Sequence, residues 1–227
     1  MLLASEIKKH ALSVGGDLVG IASAKSLAKA PGYTPTALLP TAESVIVIGK
    51  RALNGFIMAG KGRSISWGMM HLNHKLNEIC YEVSKYIEDR GHVALPVFFI
   101  YETFLKPGTP NFNAVIDTKW LAYVPAGAMA GLGEVGYNQM LLTPEYGPKM
   151  RLTAVLTDAV LAPDPQTKGD LCPGVSCNLC AEACPVGAIS PDGIDRVKCH
   201  NYNDAYQEVL GYSYCAMCIK ACPVGNK

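Results

Sequence analysis

Two segments near the end of the chain, CNLCAEACP at 177–185 and CAMCIKACP at 215–223, both read C-x2-C-x3-C-P. No other feature constrains the fold as strongly, because soft sulfur side chains at fixed spacing must be gathered around a common centre. Eight of the nine cysteines lie between 172 and 222. The N-terminus, MLLASEIKKH, carries Glu6, Lys8 and Lys9 and lacks the apolar stretch of a secretion signal. The chain therefore reads as cytoplasmic, where thiols stay reduced and a disulfide framework is not expected. Metal or cluster ligation is the expectation instead.

Each copy has a further cysteine upstream, Cys172 and Cys199. That makes four thiolates per copy, the number a [4Fe–4S] core requires. The spacing resembles that of two-cluster bacterial ferredoxins, in which the cysteine before proline ligates the other cluster. The resemblance assigns Cys172, Cys177, Cys180 and Cys222 to cluster one. Cluster two takes Cys184, Cys199, Cys215 and Cys218. One departure stands out: the usual first ligand position, 174, is glycine, and Cys172 lies two residues too early. A loop at PGVS would let Cys172 reach the cluster; a three-ligand [3Fe–4S] centre is the alternative. Paired C-x-x-C turns also bind zinc, but C-P after a three-residue gap, twice, is the ferredoxin feature. Cys80 stands alone on an apolar helical face and reads as a core thiol.

The residues before this module need a fold of their own. Residues 2–14 are expected to be helical, and DLVGIAS (17–23), SVIVIGK (44–50), HVALPVFFI (92–100) and RLTAVLTDAVL (151–161) to be strands. SVIVIGK is a continuous apolar, β-branched run, which predicts burial on both faces. Apolar residues at Leu72, Leu76, Ile79, Cys80, Val83 and Ile87 predict a helix from Met69 to Arg90, stopped by Gly91. AVIDTKWLAY (114–123) passes from extended chain into a helix, and a Pro/Gly/Asp linker follows at 162–170. The prediction is an α+β chain: an α/β sandwich over 1–165, then a ferredoxin-like domain over 166–227. A net charge of +1 argues against a nucleic-acid partner. No uncharged run reaches the roughly 18 residues of a membrane span.

AGLGEVGYNQMLLTPEYGPKMRLTAVLTDAVL (130–161), followed by the cysteine module, resembles epoxyqueuosine reductase and, more distantly, the reductive dehalogenases. The shared marks are Gly131 to Gly133, Gly136 to Asn138, and Pro144 to Gly147. Asp117 and Thr118 precede Gly131 at the family's spacing, and Tyr202 fits its second cysteine run. The resemblance implies a nitroreductase-like sandwich that binds a corrinoid (cobalamin) and receives electrons from two [4Fe–4S] clusters. It implies Asp117 as the proton donor; a helix N-cap is the alternative role. Gly131, Gly133 and Gly136 would let backbone approach the macrocycle, with Asn138 and Tyr146 at its periphery and His74 facing the pocket. A tight turn is the other account of the glycines, and a surface position the other account of His74. Flavin is the alternative cofactor. Lys61 and Arg63 sit in AGKGRS, a solvated loop or a contact for an anionic corrin side chain. GLGEVG has the form of a dinucleotide fingerprint but lacks its strand context.

The chain departs from the tRNA-acting enzyme at KWLAYVPAG and stops after CPVGNK, without that enzyme's C-terminal repeat region. The expectation is thus a small-molecule substrate, no nucleic acid, and an electron donor such as ferredoxin or flavodoxin. An uncovered macrocycle would favour a homodimer. The alternative function is a non-catalytic electron relay that activates a separate corrinoid protein.

Overall fold

A computed structural model describes residues 3–98, 121–204 and 214–225. In chain order the strands are β1 (Leu18–Ser23), β2 (Ser44–Arg51), β3 (Ala94–Val97), β4 (Glu134–Val135), β5 (Leu141–Leu142), β6 (Met150–Thr157), β7 (Ile189–Ser190) and β8 (Gly193–Ile194). The helices are α1 (Ala4–Ser13), α2 (Pro35–Leu38), α3 (Asn54–Ala59), α4 (Arg63–Glu88), α5 (Tyr123–Met129), α6 (Leu179–Glu182), α7 (Arg196–Asp204) and α8 (Met217–Lys220).

Among these, β1, β2, β6 and β3 form one sheet in the order β1-β2-β6-β3, with each neighbouring pair antiparallel. Alternation along β2 explains its composition. Val45 and Val47 join one buried cluster with Ala126 of α5 and Leu141 of β5. Ile46 and Ile48 join the opposite one, with Ile7 and Ala11 of α1 and Ile79, Val83 and Ile87 of α4. Both faces are covered, so the strand carries no polar alternation. Pro96, which has no N–H to give, lies in β3 at the sheet edge.

Helix α4 begins at Arg63, six residues before the periodicity starts. Its first turns bury Ile65, Ser66 and Met69. Their neighbours come from the far end of the chain: Ile65 and Met69 cluster with Ala216 and Ile219. Gly60 and Lys61 extend this junction. The Ala216 N–H donates to the Gly60 carbonyl at 2.7 Å, and the Tyr214 N–H donates to Ser66 Oγ at 3.0 Å. Lys61 Nζ donates to the Tyr202 carbonyl at 3.0 Å and lies 3.1 Å from the Tyr202 ring centroid. The AGKGRS segment is therefore a docking surface for the cysteine module, not a solvated loop.

The stretch read as a linker is also tied down. Ile21 and Asp164 exchange backbone and side-chain bonds: the Asp164 N–H donates to the Ile21 carbonyl, and the Ile21 N–H to Asp164 Oδ2, both at 2.8 Å. Asp164 pairs with Lys8 as well. Thr167 Oγ1 donates to the Gly131 carbonyl at 2.9 Å. No helix among the described residues is long and apolar enough to cross a membrane. Asp117 and Thr118, the end of the 92–100 strand and most of the 114–123 segment lie outside the described residues.

Two stability measurements check this packing. Ile46→Ala removes a fully buried side chain at the sheet centre and should cost about 2–5 kcal/mol in denaturant unfolding. Cys80, also fully buried, donates to the Ala154 carbonyl at 3.1 Å. Burial pushes its pKa from 9.0 up to about 11. Its thiol holds the proton more tightly folded than unfolded, so its contribution is complete below pH 9.0 and lost as pH rises through about 11. In that window wild type should lose stability more steeply than Cys80→Ala. Equal slopes would assign the loss to other groups.

Candidate metal centre

Cys172, Cys177, Cys180 and Cys222 line one pocket, although they come from two separate cysteine runs. Local conformation explains how Cys172 gets there. Gly174 takes φ 65° and Asn178 φ 51°, both left-handed. Between them the chain makes a single 3-10 turn, Gly174–Ser176, and the Cys177 N–H donates to the Gly174 carbonyl at 3.1 Å. The compact loop brings Cys172 to the same wall as Cys177 and Cys180. Two groups from the sheet domain hold it: the Cys172 N–H donates to Glu134 Oε1 at 2.6 Å, and the Tyr137 N–H donates to Cys172 Sγ at 3.2 Å.

The remaining four form a second neighbourhood. Burial raises the Cys199 thiol, and the nearby charges of Cys215 and Cys184 raise it further. Cys218 is pushed up to about 12, first by burial and then by Cys199, Cys215, Cys180 and Cys184. The Ala188 N–H donates to Cys184 Sγ at 3.3 Å. Burial likewise raises Cys180, with Cys222 and Cys172 contributing. Cys180 thus belongs with the first tetrad and also influences Cys218 in the second. The two sites are adjacent.

The donor set suits a four-iron core. Each thiolate of a cubane takes a different corner, so its ligands stand farther apart than around a single ion. Among the described residues, no three ligating side chains converge on a single-ion site. The first tetrad instead surrounds a space. Burial raises the Cys180 and Cys222 thiols of this tetrad, and a bound cation would compensate the charge of their thiolates.

The residues expected to cradle a macrocycle are placed by their own packing. A Cβ on Gly131 would lie 2.3 Å from the Pro165 carbonyl oxygen, and one on Gly133 2.0 Å from that of Leu142. At Gly136 it would meet the Leu142 side chain at 2.7 Å. Of the three, only Gly131 has positive φ, at 74°. These glycines admit the chain's own backbone and side chains, as a tight, internally packed turn requires. Asn138 is buried at 3% exposure and lines the cysteine pocket. Tyr146 packs partly buried against the sheet core. His74 sits on the exposed side of α4. Asp117 lies outside the described residues. Glu134 and Tyr137, absent from the sequence-derived set, turn out to support Cys172. Their only signal was membership of the motif.

No protein-family model matches the chain. Curated relatives do. The chain is 34% identical over 137 residues to epoxyqueuosine reductase of Listeria monocytogenes, covering 55% of this chain and 35% of that protein. It is 34% identical over 119 residues to tetrachloroethene reductive dehalogenase of Dehalobacter restrictus, covering 44% and 21%. To epoxyqueuosine reductase of Bacillus subtilis it is 24% identical over 259 residues, covering 99% and 64%. The chain thus spans about a third or less of the first two relatives. Among solved structures, an epoxyqueuosine reductase holding a tRNA stem loop superposes with a TM-score of 0.67 at 19% identity, covering 97% of this chain and 64% of that one. A reductive dehalogenase described with a mechanism for B12-dependent dehalogenation gives 0.74 at 22%, covering 97% and 32%. At these identities the superpositions establish a shared mixed helix-and-sheet fold.

Gly133→Ala tests the packing account. It should disrupt the β4–β5 hairpin and release Glu134 and Tyr137 from Cys172, lowering iron content along with stability. Full iron content in a stable Gly133→Ala protein would show that the hairpin tolerates a side chain there.

Proposed function

We propose that this chain, a homologue of the epoxyqueuosine reductases and reductive dehalogenases, is an iron–sulfur oxidoreductase that passes electrons through two [4Fe–4S] clusters to a corrinoid-dependent reduction of a small molecule. The observation that carries the cluster reading is the single pocket shared by Cys172, Cys177, Cys180 and Cys222. Cys184, Cys199, Cys215 and Cys218 hold the second cluster, and the electrostatic influence of Cys180 on Cys218 is consistent with neighbouring clusters and a short electron path. In this reading residues 1–165 are a nitroreductase-like cofactor domain and 166–227 a ferredoxin-like one.

The clusters supply one-electron transfer, and a corrinoid would supply a strongly reducing cobalt centre. The chain's own residues do the rest. Glu134 and the Tyr137 N–H fix Cys172, Lys61 and Ser66 seat the second cysteine run, and Asp117 is the candidate proton donor. The corrinoid rests on the B12-dependent neighbour, whose fold this chain shares over 97% of its length. The close approaches at Gly131, Gly133 and Gly136 come from the chain's own backbone and side chains, and that observation favours a second reading, in which the chain relays electrons from a ferredoxin or flavodoxin to a separate corrinoid protein. The tRNA stem loop bound by another neighbour makes a modified tRNA the competing substrate class.

Anaerobic reconstitution of the full chain should give about eight irons, four per cluster. Cys172→Ser should lower that number; iron content unchanged by it would remove Cys172 from the ligand set. Excess cobalamin should change the visible spectrum of the reconstituted protein, and turnover should then follow with an organohalide and not with an epoxyqueuosine stem loop. Binding of flavin with no response to cobalamin would redirect the cofactor assignment. Turnover of the stem loop alone would redirect the substrate. With cobalamin bound, Asp117→Asn should abolish turnover at normal iron and corrinoid content.

A further inference from the structure

We infer that the Asn138 side-chain amide donates a hydrogen bond to a sulfur of the cluster held by Cys172, Cys177, Cys180 and Cys222, and thereby raises that cluster's reduction potential. The inference rests on the reading that this pocket holds an iron–sulfur cluster, and deepens it.

Three observations place the donor. Asn138 is 3% exposed and forms part of the pocket wall beside the cysteines. Its Oδ1 accepts the Met140 N–H at 3.2 Å. That bond fixes the amide's orientation, because only the oxygen end can receive a backbone N–H. The opposite end, Nδ2, is then a buried donor with no partner among the described residues. Native interiors rarely leave such a group unsatisfied, because its lost hydration goes uncompensated. Of the other wall residues, Leu142, Leu179, Pro223 and Val224 have side chains that accept nothing, while Tyr137 and Asn178 carry oxygens. The four cysteine sulfurs are the most numerous side-chain acceptors that the pocket offers. The adjacent residue already behaves this way, since the Tyr137 N–H donates to Cys172 Sγ at 3.2 Å. Residues 137 and 138 thus direct consecutive donors at one centre.

The sign of the effect follows from charge. Reduction adds one electron to the cluster and makes its sulfurs more negative. A donor therefore stabilises the reduced form more than the oxidised form, and the potential rises. Removing the donor lowers it.

The test is an anaerobic redox titration of the reconstituted full chain, followed by electron paramagnetic resonance, with dithionite as reductant. Asn138→Thr keeps an oxygen for the Met140 N–H and sets a methyl in place of the amide nitrogen. Asn138→Leu removes both functions. In both variants one of the two cluster potentials should shift to a lower value while the other stays, at wild-type iron content. Should Asn138→Leu fail to hold iron, Asn138→Thr decides alone. Wild-type potentials in a fully loaded Asn138→Thr protein would overturn the inference and leave Asn138 as a support for the hairpin. Wild-type protein that takes up no iron would instead sink the cluster reading, and this inference with it.

Discussion

Cys222 shares a pocket with Cys172, Cys177 and Cys180, and it gets there only because the last residues of the described chain are held in place. The hold is backbone packed against backbone. A Cβ on Gly147 would lie 2.0 Å from the Val224 carbonyl oxygen, and one on Gly225 2.1 Å from the Gly147 nitrogen. The turn that presents Gly147 is closed by reciprocal bonds between Thr143 and Gly147 at 3.1 and 2.8 Å. Lys149 Nζ adds a bond to the Gly225 carbonyl at 3.3 Å. The PEYG segment is thus part of the scaffold that closes the cysteine pocket.

That arrangement makes the two halves interdependent. The β4–β5 hairpin belongs to the sheet domain through Leu141, yet its other residues hold Cys172. Helix α4 spans both, with Ile79, Val83 and Ile87 against the sheet and Ile65 and Met69 against the second cysteine run. A lesion in either half should be felt in the other, because Cys172 and the second cysteine run are both held by residues of the first half.

Local patterns carried much of this architecture in the sequence. The β-branched run 44–50 announced a strand with both faces buried, and the 3.6-residue period announced the greater part of α4. The cysteine runs, read with the ferredoxin crossover, led to an expected grouping of Cys172, Cys177, Cys180 and Cys222, four residues that line one pocket. What stayed illegible depended on distant partners. The first turn and a half of α4 has no periodic signal of its own because Ile65 and Ser66 answer to residues 214–219. Lys61 looked like a solvated charge because nothing nearby in sequence suggests Tyr202. The glycines of 131–136 were read as sites where a macrocycle or a tight turn needs close approach. What approaches them is the carbonyls of Pro165 and Leu142 and the side chain of Leu142, which no motif could specify.

The exchange between Asp164 and Ile21 has a further consequence. A strand at the rim of a sheet presents unpaired amide and carbonyl groups that can template another chain. At β1, the strap takes up both the N–H and the carbonyl of Ile21, and at the opposite rim Pro96 interrupts the donor row of β3. Both borders of the sheet are thereby poor seeds for intermolecular growth. Such protection matters most while the chain is folding, when the sheet has formed but the residues that pack around it have not yet docked.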